Sequence, residues 1–336
     1  MSDTVRAFAP GRVNLIGDHT DYAGGLACPM AIDLGTTVTL RRGGPVVRLT
    51  SDVRPEPCEV PLDVADPAAV TPDWARYVAA VVAVLRPATG GVGAVSSTVP
   101  IGSGLSSSAS LELAVALALG FAGPPMELAR ACQRAEHLAT GTPTGLLDQM
   151  ASAFGRDGHA LVVDFTRFDV TPVPLPDGVE VVVVNSGERV LAGTAYADRR
   201  AECEAAAALV GPLADASLAD VDAIGDPLLR RRARHVVTEN ARVRAFADAL
   251  RSGDLRTAGC AMVESHASLA EDFAVTTPAL DRLAERLRAT PGVHGARMTG
   301  GGFGGCVVAL AEPGAVRAGW RVRAVAGAAV TAPGGG

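Results

Sequence analysis

Between residues 4 and 50 the apolar positions fall in short β-branched runs, Val13 to Ile16, Thr36 to Leu40 and Val46 to Thr50, broken at Gly24-Gly25 and Gly43-Gly44. Such runs predict strands joined by turns. From Trp74 the period changes: Tyr77, Val78, Val81, Val82 and Leu85 recur at helical spacing, and Gly90-Gly91 is the expected stop. A strand over about 92–99 leads into a glycine-serine loop, and an alanine- and leucine-rich helix over about 109–119 follows directly. Helices over about 125–139 and 145–154 and strands near 160–164 and 179–185 come next. The remainder reads as mostly helical until a strand-glycine-strand pattern between Ala296 and Val308. The proline- and glycine-rich segment 172–178 is a plausible boundary, dividing the chain into residues 1–178 and 179–336. No fixed-period repeat is visible, and only Pro333-Gly334-Gly335-Gly336 reads as disordered.

Composition narrows the chemistry. The chain has 336 residues, 48% of them hydrophobic but only 4% aromatic, so a sizeable core must be built mainly from Ala, Val and Leu. All 30 cationic residues are arginine. Without lysine, neither a Schiff-base enzyme nor a Walker A loop is available. A formal charge of −6 speaks against a broad basic face for nucleic acid. The six cysteines show no metal-ligand spacing, which suits reduced thiols. The N-terminus has no basic, apolar leader and the longest apolar stretch is too short to span a bilayer, so a cytoplasmic protein without membrane contact is expected.

Four segments could carry chemistry. The loop Gly102-Ser103-Gly104-Leu105-Ser106-Ser107-Ser108 joins a predicted strand to a predicted helix. There, free backbone N–H groups and the helix dipole can hold phosphate without lysine, or one serine can simply cap the helix. The segment Gly11 to Tyr22 carries Arg12 on a strand and packs Asp18, His19 and Asp21 into four positions. Clustered carboxylates and imidazoles hold hydroxyl-rich ligands, although an ordinary polar loop has the same look. On the third segment, Leu147, Met150, Ala151 and Phe154 form a buried stripe while Asp148 shares a face with Gly145 and Ser152. Glu136 flanks a similar stripe, either as a half-buried metal-facing carboxylate or as a boundary residue. The glycine string 300–305 is either a tight hairpin or a close approach to a ligand.

Together these segments resemble the GHMP small-molecule kinases, and within that family most closely the galactokinases. Gly11-Arg12-Val13-Asn14-Leu15-Ile16-Gly17-Asp18-His19-Thr20-Asp21-Tyr22 is similar to the galactokinase signature. Pro100 to Leu111 resembles the phosphate-binding loop, and Met298 to Cys306 the third, glycine-rich motif. Likeness continues through Gly145 to Gln149, Asn185-Ser186-Gly187, Tyr196, Arg199 to Glu204 and His235 to Asn240. The resemblance implies a two-domain α+β fold with the active site in the inter-domain cleft, and ATP- and magnesium-dependent phosphorylation of a sugar's anomeric hydroxyl. It implies Asp148 as the catalytic carboxylate with Arg12 as partner, Ser108 and Glu136 as magnesium ligands, and Asp18, His19, Asp21, Gly145 and Tyr196 around the sugar. The loop 102–108 would hold the phosphates, with Trp74 and Tyr77 near adenine. Small-molecule partners alone and a monomer are expected.

Departures bear on the sugar. Asp18 stands where galactokinases usually have Glu, Ala23 where Asn is common, and Arg189-Val190 where they have an Arg-His pair. Galactose is the first expectation, a galactosamine derivative, arabinose or a uronic acid the second. A sensor that binds sugar and ATP without turnover is the third.

Overall fold

Strands dominate the first hundred residues, as the β-branched runs require. In the computed structural model, which describes residues 4–189 and 193–331, β1 (Thr4–Asn14), β2 (Leu26–Ala27), β3 (Pro29–Arg42), β4 (Val46–Ser51) and β5 (Cys58–Pro61) precede α1 (Ala75–Leu85). Then β6 (Gly91–Ser97) leads into α2 (Ser107–Ala118), α3 (Pro125–Thr140) and α4 (Leu147–Phe154). β7 (His159–Asp164), β8 (Asp169–Pro174) and β9 (Glu180–Arg189) follow, then α5 (Gly193–Val210), α6 (Leu218–Asp222), α7 (Pro227–Ser252), α8 (Leu255–Glu271) and α9 (Pro278–Arg288). The chain closes with β10 (Val293–Thr299), β11 (Gly304–Ala311), β12 (Trp320–Val322) and β13 (Ala329–Thr331). Val190 and the glycine tail 333–336 lie outside the described residues.

A six-stranded sheet runs β13-β1-β3-β6-β4-β5, a four-stranded sheet β10-β11-β9-β12, and a small one β2-β7-β8. Helix α2 is the pivot of the first half. Its residues from Ala109 to Ala118 are buried apart from Leu111, and its alanines let it pack against β1, β3, α1, α3 and α4 together. A helix apolar on nearly every side belongs inside a core, and its N-terminus carries the glycine-serine loop at the edge of that core, with Gly104 exposed. In the second half α8 and α9 cover the four-stranded sheet, and α7 packs between α5 and α8 and against the small sheet.

Several boundaries differ from the sequence expectation. β1 begins earlier than the β-branched run, and Leu15 and Ile16 lie beyond its end. Helix α1 stops at Arg86 in the left-handed region, φ 48°, just before Pro87. Gly91 opens β6 instead of ending the helix. The first three residues of the proline-rich segment 172–178 are strand: Pro172 and Pro174 sit in β8, an edge strand, where a missing N–H can be tolerated. The two strands after residue 312 are three residues each, too short for a period to show.

Candidate active site

The approach of the phosphate loop to β1 rests on one irregularity. The β1–β3 register shifts between Pro10 and Arg12: Pro10 pairs with Gly35 and Arg12 with Ala31, so the extra residues bulge on β3, opposite Gly11. A Cβ on Gly11 would lie 2.6 Å from the carbonyl oxygen of Leu105, and the Arg12 N–H donates to that same oxygen at 3.2 Å. Strand and loop are thus joined at Arg12, within β1.

Arg12 is 7% exposed. Its Nε donates to Asp148 Oδ1 at 2.8 Å, its Nη2 lies 2.6 Å from the same oxygen, and its Nη1 donates to Gly104 O. The other oxygen, Oδ2, accepts from Ser106 Oγ. Asp148 stands in the first turn of α4, where the helix dipole favours a carboxylate. Ser152 does not share its open face. Its hydroxyl is buried and donates to Pro10 O at 2.7 Å.

Around this ion pair lies a cavity of about 160 Å³ whose walls include Arg12, Asp18, His19, Asp21, Gly145, Asp148 and Tyr196, together with Glu136, Thr144 and Gly301. Every residue expected near the sugar is therefore at one place. Each is held differently. A Cβ on Gly145 would stand 1.5 Å from Asp21 Oδ2, so glycine alone admits the Asp21 carboxylate. Burial first, then Asp148, pushes Asp21 up to about 6, against backbone hydrogen bonds from Tyr22 and Leu147. Asp18 Oδ1 accepts the Gly300 N–H at 3.0 Å, and its Oδ2 lies 2.6 Å from Nη2 of the fully buried Arg297. Burial and the neighbouring His235 bring His19 down to about 3, so its ring is neutral. Nε2 lies 3.2 Å from Gly301 O, which can only accept, so Nε2 carries the proton and Nδ1 accepts from Tyr22 OH at 2.9 Å. Both His19 nitrogens are engaged within the protein. Tyr196 on α5 lies across the cavity, its ring centroid 5.4 Å from that of His19.

A second cavity, of about 230 Å³, takes Trp74, Tyr77, Gly102, Ser107 and Ser108, and its walls also include Thr36, Arg54, Ser97 and Ile101. A third, of about 210 Å³, lies between Gly102 and Gly104 on one side and residues 301–305 on the other. Gly102 borders the second and third cavities and Gly301 the first and third, so the three meet around the loop. Gly102, Gly104 and Ser106 have φ of 73°, 75° and 61°, an alternation that turns successive N–H groups to one side, as anion-binding nests require. Not every loop side chain faces the cavities. Ser103 is buried and donates to Pro100 O at 2.7 Å, and Leu105 belongs to the core. The glycine string joins β10 to β11 as a hairpin and lines a cavity.

Ser108 Oγ donates to Glu136 Oε1 at 2.8 Å, while Thr144 Oγ1 and Gln149 Nε2 donate to Oε2 at 3.0 and 2.8 Å. Glu136 is buried, not half-buried. Burial and then Asp148 push its carboxyl up, against these three donors. All three are neutral. A buried carboxylate beside a hydroxyl, with no cationic hydrogen-bond partner among the described residues, is a donor set that fits a hard divalent cation.

Sequence alone missed Thr144 and Gln149, which hold Glu136, and Arg297, which holds Asp18. Their partners are distant in the chain, and nothing in their own spacing signals them.

The galactokinase galactose-binding signature matches residues 2–42, the GHMP kinase N-terminal domain residues 76–156 and the GHMP kinase C-terminal domain residues 246–322. The chain is 44% identical to a human galactokinase over 90% of its own length and 83% of that protein's. It is 47% identical to a galactokinase of Mycobacterium tuberculosis over 91% and 89%. In three dimensions it is similar to Lactococcus lactis galactokinase complexed with galactose, with a TM-score of 0.91, 33% identity and coverage of 97% and 95%. A Methanococcus jannaschii mevalonate kinase, at TM-score 0.70 and 18% identity, shares the fold.

Proposed function

The chain belongs to the galactokinases of the GHMP kinase family, and from that premise we propose that it transfers the γ-phosphoryl group of ATP to the anomeric hydroxyl of galactose. The observation that carries this reading is the Arg12–Asp148 pair, set between a cavity walled by carboxylates and hydroxyl partners and a loop of phosphate-binding geometry. The sugar lies among Asp18, Asp21, Gly145, His19 and Tyr196. Nucleotide occupies the second cavity, adenine near Trp74 and Tyr77 and phosphates along residues 102–108. The anomeric oxygen bonds to the γ-phosphorus as the bond to the ADP oxygen breaks, and the sugar's proton passes to Asp148. Arg12 holds the Asp148 carboxylate through two N–H groups and offsets charge on the group in transfer. Ser108 and Glu136 would hold magnesium, which neutralises charge on the phosphates when bound. Beside it the chain's own contribution is to fix Glu136 through Thr144 and Gln149.

We place the domain boundary near residue 178, with β13 returned to the first sheet. A monomer is proposed. Among the described residues no helix is long and apolar enough to cross a membrane, and the six cysteines are unpaired, in keeping with a cytoplasmic enzyme.

The test is ADP release from MgATP across a panel of monosaccharides. Galactose should be turned over, and Asp148→Asn should lower kcat by about a thousandfold or more while galactose and ATP still bind. Clear ATP binding without release for any sugar would leave only the sensor.

A further inference from the structure

Ser106 occupies the N-cap position of α2, where a serine ordinarily accepts a hydrogen bond from the helix's first N–H groups. It makes no such bond. Its backbone is left-handed, φ 61° and ψ 49°, a conformation that strains a non-glycine residue. It is also 7% exposed, so neither capping nor solvent explains the hydroxyl. The strained backbone aims it at Asp148 Oδ2.

The need for that contact follows from how Arg12 grips the carboxylate. Nε and Nη2 both reach Oδ1, so the guanidinium fixes one oxygen and leaves the group free to swing about it. A donor on Oδ2 supplies the second fixed point. Oδ2 can accept at two lone-pair positions, so one remains for a hydroxyl in the cavity. We propose that Ser106 is a positioning residue for the phosphoryl transfer: its hydroxyl orients Asp148 so that the free lone pair of Oδ2 receives the sugar proton. The strain at Ser106 is the structural consequence of that aim, and it gives one loop two separable tasks, backbone N–H groups for phosphate and one side chain for the carboxylate. The inference rests on the kinase reading above.

Glycine adopts the left-handed region freely, so Ser106→Gly removes the hydroxyl without adding strain and should fold at least as well as the parent. Its kcat with galactose and MgATP should fall about ten- to hundredfold, the range for losing a hydrogen bond to a charged group, while ATP and galactose affinities measured by calorimetry change less than about twofold. On the Asp148→Asn background the same substitution should add little, because residues acting as one unit are not additive. An unchanged kcat would overturn the proposal. So would a fall in ATP affinity matching the fall in kcat/KM, which would assign the hydroxyl to the nucleotide, or a full additional loss on the Asp148→Asn background. Failure of the kinase reading itself is distinguishable, because the unsubstituted protein would then release no ADP with any sugar.

Discussion

At the residue scale the cavity concentrates negative charge. Asp18, Asp21, Glu136 and Asp148 all border it, yet they are not equivalent. Arg297 faces Asp18 and Arg12 faces Asp148, whereas Asp21 has no ion pair among the described residues and rises to about 6, chiefly through burial. If Asp21 accepts a hydrogen bond from a sugar hydroxyl, its ionised form is the binding form, and protonation turns the acceptor into a donor. Galactose affinity should therefore be flat above about pH 7 and weaken as pH falls through about 6, by up to tenfold per unit below it. Calorimetric titration between pH 5 and 8 checks this. Asp21→Asn should bind weakly with no such slope, and a slope that persists in it would assign the titration to another group. Sequence identified these carboxylates because their types and local crowding are visible. It could not show which had a cation, since Arg297 and Asp18 meet only through the fold, nor that both His19 nitrogens are already used.

At the element scale, site geometry depends on where regular structure is broken. Long periodic segments were legible: α1 through α4 and the helical stretch 193–288 lie where hydrophobic spacing puts them, since a buried face must recur at the helical period. What escaped was β5, together with β8, whose edge position tolerates prolines, the three-residue strands β12 and β13, and the register break opposite Gly11, which leaves no compositional trace beyond one glycine. That close approach at Gly11 has a measurable consequence. Alanine at residue 11 would press a methyl onto Leu105 O, a backbone atom, and shift the phosphate loop from Arg12. Misplacement near 1 Å can lower rate about a hundredfold, so Gly11→Ala should reduce kcat/KM for ATP at least tenfold. The sugar loop is held independently by α7, where Glu239 accepts the Gly17 N–H at 3.0 Å and Asn240 the Leu26 N–H at 2.8 Å. Galactose affinity, measured by calorimetry, should therefore stay within about threefold.

At the scale of the whole molecule, the two halves are tied by buried polar contacts more than by a linker. Asp18 is bonded by Gly300 and Arg297, Gly17 by Glu239, and Asn14 by Thr299 at 3.2 Å, each pair crossing from the first half to the second. His235 Nε2 lies 3.1 Å from Asp18 O, and β13 completes the first sheet from the far end of the chain. Separating the halves would leave these buried groups unpaired, at about 1–3 kcal/mol each, so neither half should open while the other stays folded. Calorimetry should show one unfolding transition with matching calorimetric and van't Hoff enthalpies. Galactose touches residues of both halves in the proposed complex. At a hundred times its Kd it adds about 2.7 kcal/mol to the folded state and should move that single transition up by a few degrees. Two transitions, only one of them moved by the sugar, would show that the cross-contacts are too weak to couple the halves. The cleft would then have to assemble anew with each turnover.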